Sequence, residues 1–337
     1  MSETIGSLVE SQAVNVMLIS IIVPTRNRVS LLTCALHAIK LQDYENYEVL
    51  VIDDSSNAQT RSAYPTLRTE LGDKFYFVSV GMDNQRGQGP SASRNLGIQM
   101  AQGDVLAFCD DDDLWVDPSH LAAIVKLFEK HASVDLCISN QRAVFTNGSV
   151  REHWLPNLSS RALGLPILDE RFCTVTLRDL CNSGGFAHMN MCCVRRNVIQ
   201  ATGGFWEAVN YEEDRDFFWR CVDNCAELAY TTTTVAQHHV PDPAQRINVS
   251  TAIQQQERWL VAAMVNRHIA VSVHSQAIVQ LCLQYEGDLL RHLSLHCTSH
   301  NQAMAGWLFA RQALGARFSV KWAAYCVLAW IRSYKKS

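Results

Sequence analysis

The chain has 337 residues, enough for one large α/β domain of about 200–250 residues with an accessory segment, or for two smaller domains. Hydrophobic residues make up 48% of it and charged residues 18%, which is typical of a folded globular protein and excludes a disordered one. The formal net charge of −4 argues against a nucleic-acid-binding protein, because such proteins carry an excess of basic side chains that follows the phosphates.

The first twenty residues predict a protein that is not exported. They contain Glu3 and Glu10, lack a basic segment and run directly into a strand-like stretch, unlike a signal peptide. We therefore expect a cytoplasmic protein whose twelve cysteines stay reduced and pack as small apolar side chains. The cysteine pairs at 192–193 and 221–225 leave metal ligation open as the alternative, although there is no C-x-x-C pair.

The first half of the chain alternates between strand-like and helix-like segments. We predict strands at residues 16–23, 47–52, 75–80 and 105–109, and helices within 25–42, near 57–71 and over 91–101. In the first helix the apolar residues that repeat at helical spacing are Leu31, Leu32, Ala35, Leu36 and Ile39. This β-α-β order favours right-handed crossovers into a parallel sheet with helices on both faces, so the predicted fold class is doubly wound α/β.

The second half has a more mixed pattern. We predict a helix over 117–131, strands near 136 and 143, and loops over 147–166 that contain Pro, Gly and Asn. A strand at 186–194, a helix at 211–225 and a strand at 227–235 follow, and the pattern past 243 is helical.

Four consecutive carboxylates, Asp110–Asp113, come directly after the strand predicted at 105–109. Ligands of such sheets bind outside the carboxyl ends of the strands. Like charges repel, so four of them together require compensation by a cation or by substrate groups. Mg²⁺ and Mn²⁺ bind carboxylate oxygens and keep positions open for phosphates. The alternative is a solvated acidic turn that caps the next helix at Asp117.

Four segments of the chain match one family in order: ISIIVPTRNR at 19–28, YEVLVIDDSS at 47–56, GPSASRNLGIQMAQGDVLAFCDDDDLW at 89–115 and GGFWEAVNYEEDRDFFWRC at 203–221. With them the chain resembles the inverting glycosyltransferases of family 2, which have the GT-A fold. The resemblance implies a mixed, mainly parallel sheet of the nucleotide-diphospho-sugar transferase kind, with a C-terminal helical extension. It also implies a nucleotide-sugar donor and a D-x-D motif that holds Mn²⁺ or Mg²⁺.

The resemblance places the nucleotide-sugar at the strand ends and beside one helix. The residues expected to contact it are Pro24, Thr25, Arg26, Asp53, Asp54, Arg94, Asp110 and Asp111. The first three would line the pocket for base and ribose, and Asp53 would accept a hydrogen bond from the base. Arg94 would meet the base or the diphosphate, with an ordinary helix-surface arginine as the alternative.

The expected metal ligands are the acids of the D-x-D. Asp110 and Asp112 match its two positions, with Asp112 favoured for direct contact, and Asp111 fills the variable position. His238 and His239 follow a β-rich run and are weaker candidates for a further ligand, since a loop histidine more often packs or hydrogen-bonds.

The expected catalytic residues are Glu213 and Asp214, which resemble the family's E-D pair, with Asp214 in the place of the general base. Inversion requires one carboxylate opposite the leaving group to remove the proton of the acceptor hydroxyl. The alternative is a set of acids favoured at a helix N-terminus by the helix dipole.

The expected organisation is a flexible N-terminus at 1–15, a catalytic domain at 16–242 and a helical region at 243–337. Within the catalytic domain, 16–115 is the expected nucleotide-binding half and 116–242 the acceptor half, with the loops at 147–166 shaping the acceptor cleft. After Asp288 the sequence contains no acidic residue. The basic, aromatic-rich stretch 303–336 predicts peripheral contact with the inner face of the cytoplasmic membrane, with packing on the domain or on a second copy as the alternative.

The expected reaction is sugar transfer from a nucleotide-diphosphate sugar, with UDP favoured, to a glycan or lipid-linked acceptor of the bacterial envelope. QQERW at 255–259 matches the Q-x-x-R-W of processive polysaccharide synthases, but those enzymes also carry membrane-spanning helices, so a helix surface is favoured. A non-catalytic nucleotide-sugar-binding protein is a further alternative. A nucleotidyltransferase is disfavoured, because PTRNR replaces its Gly-rich phosphate loop.

Overall fold

The computed structural model describes residues 16–81, 86–242, 244 and 249–335, so the N-terminus predicted to be flexible lies outside the described residues. The strands of the described part are β1 (Ile19–Thr25), β2 (Tyr47–Asp54), β3 (Phe75–Val80), β4 (Val105–Phe108), β5 (Leu114–Trp115), β6 (Val134–Val144), β7 (Val150–Arg151), β8 (Cys173–Val175), β9 (Cys192–Arg195) and β10 (Glu227–His239).

The helices alternate with these strands in the first half and follow them at the end. In the described residues they are α1 (Val29–Lys40), α2 (Ala58–Arg61), α3 (Tyr64–Leu71), α4 (Pro90–Met100), α5 (His120–Lys130), α6 (Pro156–Arg161), α7 (Leu177–Cys181), α8 (Arg196–Thr202), α9 (Glu213–Asp223), α10 (Val249–Ala252), α11 (Gln255–Ser272), α12 (Gln276–Ser299), α13 (Ala303–Ala316) and α14 (Val320–Lys335).

The strands form one mixed sheet in the order β3-β2-β1-β4-β9-β6-β10-β5, with β7 on β6 and β8 on β10. The long pairings β3–β2, β2–β1, β1–β4 and β6–β10 are parallel, whereas β9 and the short strands pair antiparallel. The predicted α/β class with a mainly parallel sheet and C-terminal helices is therefore confirmed.

Both faces of the sheet are covered, which explains the unbroken apolar runs of its strands. Alternate residues of β1 enter opposite layers: Ile22 packs in one core cluster, and Ile21 and Val23 pack in the other. α1 buries Leu32, Ala35, Leu36 and Ile39, as its spacing predicts, but Leu31 lies at the solvent edge and is 48% exposed.

Several predicted boundaries are wrong. The helix expected near 57–71 is two helices, because Pro65 starts a new one as the second residue of α3. The strands near 136 and 143 are the single strand β6. The strand expected at 186–194 begins only at Cys192, after the 3₁₀ turn Met189–Met191. β10 continues to His239, so the two histidines lie in a strand and not in a loop.

The C-terminal helices pack in sequence on one another and on α9. His268 of α11 bonds Asp216 of α9, and Trp259, the last residue of QQERW, stacks on His292 of α12 with ring centroids 5.4 Å apart. Trp259 thus packs between two helices, and the helix-surface interpretation of QQERW stays a prediction. No helix among the described residues is long and apolar enough to cross a membrane.

The cysteines behave as apolar side chains, as predicted. Most are buried, and burial raises the pKa values of Cys193 and Cys221 to about 12, so these thiols stay protonated at neutral pH. The Cys225 thiol donates a hydrogen bond to the backbone carbonyl oxygen of Cys221 at 3.1 Å; Cys221 lies in the core and Cys225 packs against it.

His120 at the start of α5 gives the fold an expected acid sensitivity. It is 1% exposed, its Nδ1 has no hydrogen-bond partner in the described part of the chain, and burial lowers its pKa to about 3. The unfolded chain, with an imidazole pKa of about 6.5, therefore binds more protons, and the free energy of unfolding falls as pH drops from about 6.5 toward 3, by up to about 1.4 kcal/mol per pH unit.

We therefore expect His120→Gln to flatten the pH dependence of the unfolding free energy by up to one proton, measured by urea unfolding between pH 4.5 and 7. His153→Gln, which removes an exposed imidazole before α6, is the control for the substitution itself. If the unfolding free energy of wild type and of His120→Gln depends equally on pH, His120 is not the source of the acid sensitivity.

Candidate active site

The four-acid run follows β4, and its members face different partners. Asp111 accepts hydrogen bonds from Thr25 Oγ1 at 2.7 Å and from Arg28 Nη1 at 3.1 Å, and the same Arg28 nitrogen lies 3.0 Å from Asp112 Oδ2. The end of β1 and the start of α1 thus meet the run, because β1 and β4 are adjacent parallel strands. Arg28 was not among the predicted site residues.

Arg94 of α4 joins the run to the second acidic element. Its Nη2 lies 2.7 Å from Asp110 Oδ1 and its Nη1 lies 2.9 Å from Glu213 Oε1, and the side chain is buried. Burial alone would raise the pKa of Asp110, but the Arg94 guanidinium and His188 outweigh it and lower the pKa to about 2. Arg94 is therefore not the helix-surface arginine of the alternative interpretation, and its contact with the donor stays a prediction.

The charge of the run is only partly compensated. Burial, followed by repulsion from Asp113, Asp111 and Asp110, raises the pKa of Asp112 to about 7, although Arg28 acts in the opposite direction. A group of acids that resists ionisation gains most from an added cation. The donor chemistry around the run therefore fits a divalent metal ion.

Asp113 and β10 add imidazoles to this environment. Asp113 is fully buried and bonds His238 Nδ1 at 2.9 Å, the backbone N–H of His239 at 2.9 Å and the side-chain amide of Asn190. The ligand atoms of Asp113, His188 and His238 lie within 4.8 Å of one another. His239 has both ring nitrogens engaged, with the carbonyl oxygen of Asp112 at 2.7 Å and Gln237 at 2.8 Å. Of the two predicted histidines, His238 is the one in the possible ligand group.

His188 connects the acid run to the proposed base. Its Nε2 lies 3.6 Å from Asp110 Oδ2 and 3.8 Å from Asp214 Oδ2. Burial lowers the pKa of His188 to about 4 in spite of Asp110, so the ring is neutral at neutral pH. The structure therefore brings Asp110 and Asp214 to the same cleft, on either side of a histidine that was not among the predicted site residues.

Asp214, the predicted general base, is largely buried beside other acids. It lies in the first turn of α9, where its Oδ1 accepts the N–H of Arg215 at 2.8 Å. Burial, then Glu213 and Glu212, raises its pKa to about 8, because these neighbours oppose a further negative charge. A carboxylate with a raised pKa accepts a proton from an alcohol more readily than an ordinary aspartate does.

α9 is fixed by contacts on the side away from the cleft. Glu212, just before it, adopts a left-handed backbone conformation with φ of 63°, so the helix begins at Glu213 and not at the predicted residue 211. Asp216 bonds Arg220 within the helix and His268 of α11, and the ring of Trp206 stacks on His268 at 3.9 Å. These contacts fix α9 against α11.

The predicted nucleotide pocket lies where β1 and β2 end. Asp53 is buried, and its Oδ2 has no hydrogen-bond partner in the described part of the chain. Both oxygens of Asp54 accept backbone N–H groups, from Gln88 and Gly89 at 2.8 Å each, so Asp54 fixes the segment before α4. Pro24 and Thr25 end β1, and Arg26 follows them at an exposed position.

The chain has the architecture of GT-A glycosyltransferases. This architecture combines a mixed, mainly parallel α/β sheet with acids at the ends of its strands, a second acidic pair that faces them, and added C-terminal helices. A family model described as glycosyl transferase family 2 matches residues 20–202, which is more than half of the chain. The chain belongs to this family. The match ends before α9, so the role of Asp214 depends on the geometry above.

Curated relatives carry related names. A GalNAc(5)-diNAcBac-PP-undecaprenol beta-1,3-glucosyltransferase of Campylobacter jejuni is 34% identical over 116 residues, covering 34% of this chain and 36% of that protein. An uncharacterized glycosyltransferase of Haemophilus influenzae is 24% identical over 213 residues, covering 63% of this chain and 65% of that protein. The chain thus spans about a third of the length of the Campylobacter protein and about two thirds of the length of the Haemophilus protein.

Solved structures share the fold. Staphylococcus aureus TarS 1–349 in complex with UDP-GlcNAc has a TM-score of 0.62 at 19% identity, covering 88% of this chain and 82% of that one. The mannosyltransferase PcManGT of Pyrobaculum calidifontis, in complex with GDP-Man and Mn²⁺, has a TM-score of 0.57 at 19% identity, covering 94% and 80%. At these identities the likeness shows the fold alone.

Proposed function

We propose that the chain is an inverting, divalent-metal-dependent glycosyltransferase that moves a sugar from a UDP-sugar to a hydroxyl of a glycan or lipid-linked acceptor of the bacterial envelope. The observation that carries the proposal is the convergence of two acidic elements on one cleft. Asp110 and Asp214 each lie within 4 Å of His188 Nε2, although they belong to different elements.

The residues divide into a donor side and an acceptor side. On the donor side, Asp53 would accept a hydrogen bond from the base, and Thr25 and Arg28 hold Asp111 just after β4. On the acceptor side, Asp214 would take the proton of the attacking hydroxyl. A single base on the face opposite the leaving group produces inversion, and Glu213, held by Arg94, keeps its position beside that base.

Asp110 and Asp112, with His238 as a further candidate, would hold the divalent metal ion. When bound, the ion supplies Lewis-acid compensation for the charge that develops on the departing diphosphate. Arg28 and Arg94 keep the acids of the run in place through ion pairs.

UDP is the favoured donor nucleotide because TarS binds UDP-GlcNAc, and an envelope acceptor is favoured because the Campylobacter relative is named for an undecaprenol-linked substrate. PcManGT binds GDP-Man, so a GDP-sugar is the second candidate donor. A processive synthase is less well supported, because Trp259 packs between helices.

A nucleotide-sugar screen tests the donor assignment. With Mn²⁺ present, we expect one UDP-sugar to raise the melting temperature of the protein and to be hydrolysed slowly. A ligand at 100 times its Kd adds about 2.7 kcal/mol to the free energy of unfolding. The same sugar without Mn²⁺ should stabilise much less. Stabilisation by GDP-sugars alone would replace UDP by GDP, and no stabilisation by any nucleotide-sugar would contradict the proposal.

The outer face of α14 supports the proposed contact with a membrane surface. Val320, Val327, Leu328 and Ile331 recur at helical spacing and are between 41% and 77% exposed. Lys321 and Arg332 flank them, and no acidic residue follows Asp288. An apolar stripe flanked by cations favours binding to the surface of an anionic bilayer.

We expect the double variant Leu328→Glu, Ile331→Glu to bind vesicles that contain phosphatidylglycerol more than about tenfold more weakly than wild type, measured by flotation. Val271→Glu, at a position on α11 that is 72% exposed, is the matched control. Equal flotation of the double variant and the control would contradict the membrane contact.

A further inference from the structure

Three histidines recur every fourth residue over the last turns of α12 and its C-cap, in the order His292, His296 and His300. Residues four apart lie on the same face of a helix, so the three side chains form one stripe. His292 and His300 are exposed, and His296 is half-buried. Imidazoles at this spacing on one helix face can ligate a single metal ion.

The rings of His296 and His300 lie side by side. Their centroids are 4.1 Å apart, and the angle between the ring planes is 35°. Two imidazoles on a tetrahedral ion, with metal–nitrogen bonds of about 2.0–2.1 Å, have their ring centres about 5 Å apart. The observed pair is within about 1 Å of that spacing, a difference that a small rotation of the exposed His300 ring supplies.

His300 has the hydrogen bonding of a metal-binding histidine. Its Nδ1 lies 2.9 Å from the carbonyl oxygen of His296, and a carbonyl oxygen can only accept, so Nδ1 carries the proton and the lone pair of the neutral ring is on Nε2. A backbone carbonyl on one ring nitrogen is a usual support of a histidine that binds metal through the other. Among the described residues, no hydrogen bond engages the ring nitrogens of His296, which leaves them available to an ion.

The surroundings of the pair favour a cation held by nitrogen. The C-terminal end of a helix carries partial negative charge, and His300 caps that end of α12. No acidic residue follows Asp288 in the sequence, so α12 offers imidazoles and not carboxylates here. The Trp259 ring of α11 stacks on His292 at 5.4 Å and meets His296 edge-on at 6.0 Å. Trp259 thus restrains His292, and the remaining two histidines are the ligand pair.

We propose that His296 and His300 form a second metal site, on the C-terminal helices and separate from the acid run, which binds Zn²⁺ through imidazole nitrogen. Imidazole suits Zn²⁺, whereas Mg²⁺ favours an oxygen shell, so this pair should select Zn²⁺ over Mg²⁺. Asn301 and Gln302 follow the cap and lead directly into α13. A bound ion joins the last turn of α12 to its cap and so stabilises the turn from which α13 and α14 continue.

The test observes the imidazoles directly in the full-length protein, without donor or acceptor. Long-range ¹H–¹⁵N magnetic resonance spectra report each ring, His-to-Gln variants assign the signals, and the signals of His188 and His238 report the acid run separately. We expect Zn²⁺ to shift the ring ¹⁵N signals of His296 and His300 together, and Mg²⁺ to leave them unchanged. His296→Gln should raise the Kd of Zn²⁺ at His300 by about tenfold or more.

Two matched variants control for the loss of a histidine as such. His292→Gln removes the ring stacked on Trp259, and His153→Gln removes an exposed imidazole before α6. Both should leave the Kd of Zn²⁺ within about threefold of wild type. Thermal unfolding gives a second readout, because Zn²⁺ should raise the melting temperature of wild type and of both controls more than that of His296→Gln. Circular dichroism spectra check that each variant remains folded.

Two results would overturn the inference. One is a titration in which Zn²⁺ leaves the signals of His296 and His300 unchanged, and the other is a folded His296→Gln that binds Zn²⁺ at His300 as tightly as wild type. A loss of Zn²⁺ binding in His292→Gln alone would also contradict the pairing of His296 with His300. The proposed transfer reaction uses none of these histidines, so each of these results leaves it unaffected.

Discussion

Asp214→Asn is expected to lower kcat for sugar transfer by about 10²–10⁴-fold while leaving the Kd of the donor within about threefold of wild type. The amide keeps the shape of the side chain and its place in the first turn of α9, but it cannot accept the proton of the acceptor hydroxyl. The loss should appear in kcat, because the base acts in the transition state and not in donor binding.

The pH profile gives an independent signature of the same residue. Burial, Glu213 and Glu212 raise the pKa of Asp214 to about 8, so the active, ionised form is lost as pH falls through that region. Wild-type kcat should therefore rise with pH on an acid limb well above the ordinary range of an aspartate, and the residual activity of Asp214→Asn should lack this limb.

Asp73→Asn is the control and should retain full activity, because it removes one negative charge, as Asp214→Asn does, but at an exposed position. Asp214→Asn with full transfer activity would remove Asp214 as the base. Loss of donor binding in this variant would instead show that Asp214 supports the donor side of the cleft.

The sequence predicted the parts of this site that are local in the chain. The acids Asp110–Asp113 follow a strand that is recognisable by its apolar run, and parallel order places them at one edge of the sheet. The first-half strands and helices were found for the same reason, because hydrophobic periodicity is a local signal.

The sequence did not predict how distant side chains converge. Arg94 forms ion pairs with Asp110 and with Glu213, which is 119 residues away, and no local pattern in the sequence predicted this pairing. His188 was missed because its segment was interpreted as a strand, although two polar residues, His188 and Asn190, interrupt an otherwise apolar run. That interruption was the available signal.

Asp112→Asn is expected to have opposite effects on stability and on metal binding. In the absence of metal, burial and the three neighbouring acids raise the pKa of Asp112 from 3.8 to about 7. A carboxyl group whose pKa is higher in the folded protein than in the unfolded chain lowers the free energy of unfolding at pH values above the unfolded pKa. This loss grows as pH rises from about 4 to 7 and stays constant at higher pH. Removing the charge should therefore raise the melting temperature of the metal-free protein at pH 8 by several degrees, about 2–4 °C per kcal/mol.

With Mn²⁺ and a UDP-sugar the order should reverse. Wild type should gain stability from bound Mn²⁺ and UDP-sugar. Asp112→Asn should bind the UDP-sugar in the presence of Mn²⁺ at least about tenfold more weakly, because it has lost a carboxylate ligand of the ion. Thermal unfolding with and without Mn²⁺ measures both effects, and Asp73→Asn should show neither. A variant that is destabilised without metal, or that binds the donor with Mn²⁺ as tightly as wild type, would show that Arg28 neutralises Asp112 and that the ion is held by the remaining acids.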